Sequence, residues 1–73
     1  ILQDSSALKV YKLLGDIYLS LNRTDRAKQV LEHASYLAPT DWENQNLLGL
    51  VQRREGALAA AAATFRQAAL RAP

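Results

Sequence analysis

The chain has 73 residues, 49% of them hydrophobic, with no cysteine and a net charge of +2. That length allows one small domain, and the missing thiols exclude disulfide staples and thiolate metal sites. Up to Asp41 basic and acidic residues balance, and afterwards four arginines face Glu43 and Glu55, far short of the dense basic stripe of a nucleic-acid domain.

In chain order, residues 1–7 read as the tail of a preceding helix or an N-terminal cap, with Ser5 and Ser6 as candidate N-caps. A first helix is predicted over 6–21. Leu14, Ile17, Tyr18 and Leu21 share one face at the i, i+3, i+4, i+7 spacing. Val10, Leu13 and Leu19 widen the apolar set, which suits a helix covered on two sides. Asn22 tolerates the left-handed conformation that ends helices, and Thr24 is the expected cap of the next. That second helix, over 24–38, turns Ala27, Val30, Leu31, Ala34, Leu37 and Ala38 inward until Pro39 stops the ladder.

Thr40 and Glu43 have the spacing of a capping box, each able to satisfy the other's backbone N–H. A third helix is predicted over 41–54, with Leu47, Leu48 and Val51 inward, and Gly56 closes it. The fourth, over 57–72, has Leu58, Ala61, Phe65, Ala68 and Ala72 inward and draws high helicity from the run Ala59 to Ala63. No stretch alternates like a strand, so the fold class is all-α.

One spacing ties these helices together. Leu13-Leu14-Gly15 and Leu47-Leu48-Gly49 are 34 residues apart, as are Ala27 and Ala61, Ala34 and Ala68, and Pro39 and Pro73. Leu31 answers Phe65, and Asn22 answers Gly56. Such recurrence marks a duplicated helical hairpin. Glycine inside a helix costs about 1 kcal/mol against alanine. Gly15 and Gly49 therefore imply close helix approach, expected at Ala27 and Ala34 in one unit and at Ala61 and Ala68 in the other.

Tyr11-x2-Leu14-Gly15-x2-Tyr18, followed by Ala27-x3-Leu31, Ala34 and Pro39, resembles the tetratricopeptide repeat (TPR). The second unit resembles it less closely, because Gln45 and Gln52 stand at the two aromatic places. The resemblance divides the chain into a repeat at 8–41 and another at 42–73. It implies two stacked antiparallel hairpins in a right-handed α-solenoid, and a protein-interaction module, scaffold or chaperone, rather than an enzyme.

By the same resemblance the first helices line a concave groove for a peptide or partner helix. Its expected residues are Lys9, Lys12, Asp16 and Leu19 in the first unit and Glu43, Asn46, Leu50 and Arg53 in the second. One TPR subclass grips C-terminal carboxylates with Lys and Asn residues. Lys12 fits it, but Asp16 and Leu50 occupy the asparagine places, and a carboxylate there repels such a ligand. Tyr36 and Leu70, at equivalent places off the inward face, suggest a secondary contact.

No catalytic, cofactor or metal set is legible. His33 reads as solvent-facing, and no Ser/His/Asp set or phosphate loop occurs. Helical-repeat RNA binding is the alternative function, but Lys12/Asn46 and Asp16/Leu50 form no polar code at equivalent places. The expected partner is a protein or peptide, with no nucleic acid and no membrane. No leader or spanning segment is seen, leaving cytoplasm and periplasm open. The absence of an initiator methionine reads as a fragment of something longer, and its alanine, leucine and arginine content fits a bacterial coding sequence. Two hairpins leave terminal faces uncovered, expected around Val10, Leu21, Thr64 and Leu70, where self-association is possible.

Overall fold

The computed structural model describes residues 5–73, so the reading of 1–4 as a helix tail lies outside the described residues. Four helices follow: α1 (Ser5–Ser20), α2 (Thr24–Leu37), α3 (Trp42–Arg54) and α4 (Leu58–Arg71). α1 and α4 differ from their expected ranges by one residue at both ends, α2 and α3 by one residue at a single end. α1 pairs with α2 and α3 with α4, while α2 and α1 both pack on α3. α4 touches only α3 among the described helices. No strand occurs among the described residues, and none of their helices is long and apolar enough to cross a membrane.

The turns inside the two hairpins are the same device used twice. Asn22 has φ 62° and Gly56 φ 85°. The Arg23 N–H donates to the Tyr18 carbonyl at 2.8 Å and the Asn22 N–H to Leu19 at 3.0 Å. One repeat later, Ala57 donates to Gln52 at 2.9 Å and Gly56 to Arg53 at 3.1 Å. This six-to-one and five-to-two pairing is the Schellman closure, which requires a left-handed residue after the helix.

The caps differ from expectation. α3 is capped by Asp41, not Thr40: the Asp41 backbone is extended, and its carboxylate accepts from the Asn44 N–H at 3.0 Å. Thr24 is already helical; Arg23 stands at the cap of α2 without a side-chain bond, because that residue completes the preceding Schellman turn.

The core gathers Leu19, Ala27, Leu31 and Val51, flanked by Tyr18, Val30, Leu47, Leu48 and Leu50. Ala34, Ala61 and Ala68 are also buried, whereas Leu37 and Leu58, expected inside, are exposed. The two helical glycines make room for large residues rather than for the alanines. A Cβ on Gly15 would meet the Leu31 side chain, and one on Gly49 would meet the Phe65 ring at 2.5 Å. The repeat thus places one bulky side chain of the second helix against a glycine of the first, which corrects the expected alanine contact.

α1 is covered on one side only. Ile17 and Leu21 are exposed along with Val10, because the neighbours of α1, helices α2 and α3, both lie on its other side. The equivalent face of α3 is closed by α2. There Asn44 is wholly buried, and its Nδ2 donates to the Leu31 carbonyl at 3.1 Å and to Ser35 Oγ at 2.7 Å. His33 is exposed, with its ring 4.6 Å from that of Tyr11.

Candidate partner-binding groove

α1 and α3 pack on each other and are bridged by side chains at two places. At one, Arg54 Nη1 donates to the Leu19 carbonyl at 2.6 Å and to Asn22 Oδ1 at 3.2 Å. This corrects one expected groove residue. Leu19 is only 4% exposed and belongs to the core, because the approach of α3 covers it. Leu50 is half-buried against the same cluster, and Arg53 and Lys9 are exposed outside the groove lining.

At the other, where Lys12 meets Glu43, lies a depression of about 390 Å³ lined by Lys12, Leu13, Asp16, Trp42, Glu43, Asn46 and Leu47. Four of the eight expected residues, Lys12, Asp16, Glu43 and Asn46, come together there. Leu13, Trp42 and Leu47 were not expected. The signal for the two leucines lay in their equivalence, since both follow the same position of a first helix. Trp42 enters through its place in the first turn of α3.

The electrostatics of this hollow turn on Lys12. Its Nζ donates to Asp41 Oδ2 at 3.0 Å and to Glu43 Oε1 at 2.8 Å, joining α1 to the start of α3. Burial lowers the Lys12 pKa, but the hydrogen bonds to Glu43 and Asp41 outweigh it and hold the ammonium above its ordinary range. The same Asp41 oxygen caps α3, so one carboxylate serves both the helix start and the junction. Lys12 is therefore engaged within the protein. Asp16 forms no ion pair among the described residues, and the exposed Asn46 adds neutral polarity. The hollow thus combines an apolar floor of Leu13, Leu47 and Trp42 with an excess of negative charge. Tyr36 and Leu70 lie elsewhere, at the ends of α2 and α4, 84% and 80% exposed.

No set of three His, Asp or Glu side chains among the described residues converges on a point that could hold a metal ion. No curated protein and no solved structure gives a significant match to the chain. Residues 8–41, which comprise most of α1, all of α2 and the turn into α3, match the family model described as tetratricopeptide repeat. That match identifies the first hairpin as a tetratricopeptide repeat, and the four helices arranged as two hairpins are consistent with repeats of this type, which generally mediate protein–protein interactions.

Proposed function

We propose that the chain is a non-enzymatic docking segment of a scaffold or chaperone. In this reading the hollow between α1 and α3 receives a peptide or helix carrying an apolar side chain beside a basic one. The observation that carries it is the charge balance around the apolar floor. Lys12 is already paired with two carboxylates, while Asp16 is unpaired at the rim. Ligand phosphates or C-terminal carboxylates would meet like charge there; a lysine or arginine would find a partner. Lys9 and Arg53, exposed outside the hollow, together with Tyr36 and Leu70, offer further contacts for a longer partner.

Trp42 supplies the readout. Labelled peptides alternating Lys and Leu, alternating Glu and Leu, and a single-stranded oligouridine are titrated into the chain while Trp42 emission and anisotropy are followed. The basic–apolar peptide is expected to bind and shift the emission, to weaken with salt, and to lose binding in Asp16→Lys. Preference for the acidic peptide or for the oligouridine would overturn the reading.

A further inference from the structure

The uncovered face of α1 and the outer face of α4 lie on opposite sides of the four described helices, and neither contributes to the groove. We propose that they are complementary, and that a second copy of this chain docks its α4 on α1 in the register in which α2 covers α3.

The argument comes from the internal repeat. Asn44, Val51 and Glu55 of the second unit correspond to Val10, Ile17 and Leu21 of the first. On α3 this face is shut by α2: Asn44 is 0% and Val51 1% exposed. On α1 it is open: Val10 is 52%, Ile17 42% and Leu21 61% exposed. Each carries more apolar surface than a solvated helix face needs. The helix that covers them must therefore resemble α2, and its counterpart one repeat later is α4.

Two polar pairs hold α2 on α3. Ser35 Oγ accepts from Asn44 Nδ2 at 2.7 Å, and Lys28 Nζ lies 3.9 Å from Glu55 Oε2. Carried to the proposed contact, Ser35 becomes Ala69 and Asn44 becomes Val10. Lys28 becomes Ala62 and Glu55 becomes Leu21. Both members of both pairs change from polar to apolar together. A mismatch, such as lysine against leucine, would have argued against the contact, and neither pair gives one. Burial of Val10 and Leu21 against Ala69 and Ala62 leaves no unsatisfied polar side chain at these places. Because the two faces differ, the contact is heterologous, and association proceeds head to tail rather than stopping at a closed dimer.

Sedimentation of the 73-residue chain over a wide concentration range tests this, with helicity followed in parallel. The wild type is expected to grow through dimer and trimer as concentration rises. Leu21→Glu and Ala62→Lys should each weaken association about two- to fivefold by setting a charge against an apolar neighbour at a place where the equivalent Lys28 and Glu55 stay 47% and 36% exposed. The double variant, which recreates the Lys28–Glu55 pair at the contact, should restore it. Because the chain has no cysteine, mixed Val10→Cys and Ala69→Cys chains provide a second measurement. Oxidation should give the mixed disulfide. A chain that stays monomeric at millimolar concentration, a double variant without rescue, or Val10→Cys chains cross-linking to each other in preference would overturn the proposal.

Discussion

Gly15→Ala tests how the hairpin is packed. The added Cβ would lie 2.5 Å from Leu31 Cγ and 3.0 Å from Leu31 Cδ1. Ordinary carbon contacts are about 3.5–4.0 Å, so the overlap with Cγ is about 1 Å. Leu31 is wholly buried, and side chains in close-packed interiors have little room to turn. Overpacking of this kind costs about 1–3 kcal/mol, while alanine recovers about 1 kcal/mol of helix propensity over glycine. The net expectation is a loss of about 0–2 kcal/mol, or about 4–8 °C in Tm for each kcal/mol in a domain of this size. Leu31→Ala removes the obstacle and by itself costs about 2–5 kcal/mol. In that background the clash is gone and only the propensity gain remains, so Gly15→Ala should change sign and stabilise. Urea unfolding followed by far-UV circular dichroism, at one protein concentration and with an excluded osmolyte to keep the Leu31 variant folded, measures the cycle. Equal effects of Gly15→Ala in both backgrounds would refute the packing argument.

Gly49→Ala should be milder than Gly15→Ala in the same assay, because its neighbour Phe65 is only half-buried and its ring has a way outward. Asn44→Ala should cost about 1–3 kcal/mol by removing a buried hydrogen-bonding group, whereas Asn44→Val combined with Ser35→Ala should come close to neutral, as measured by chemical denaturation. Gly56→Ala should lose about 1–2 kcal/mol, since a side chain is strained at φ 85°, while Asn22→Gly relaxes the equivalent turn but gives up the exposed bond from Arg54, a net change within about 1 kcal/mol. Because the folded-state pKa of Lys12 is raised, its contribution is intact below its ordinary 10.5 and is lost as pH rises through the folded value. Lys12→Met should therefore flatten part of the alkaline fall in stability, and parallel melts between neutral pH and pH 11 measure the difference.

The helices and turns were legible because their signals are local. Asn22 and Gly56 stand where a left-handed residue is required, and Pro39 stands where the ladder must stop. The inward alanines were legible from helical spacing. What the chain did not disclose depends on neighbours. Leu19 and Leu13 are both leucines on α1, yet packing with α2 and α3 buries one and leaves the other lining a hollow. Leu58 fits the inward spacing of α4 but is its first residue, and it is 64% exposed. The role of Lys12 was hidden for the same reason: its partners are 29 and 31 residues away, at the start of another helix. The glycines were read correctly as sites of crowding, but which side chain crowds them follows from the angle at which two helices meet.

Among the described helices α4 rests on α3 alone, and this sets the order in which they open. A helix anchored by one neighbour detaches without disturbing the remaining three, so its amides should exchange with solvent through a partial opening well below the global unfolding free energy. Its alanine run keeps some helix even when detached, so ellipticity would understate the event that exchange reveals. α3 sits between α2, α1 and α4 and should be the slowest segment to exchange. The native state is thereby graded across the described helices, from a tightly protected α3 to an α4 that comes and goes.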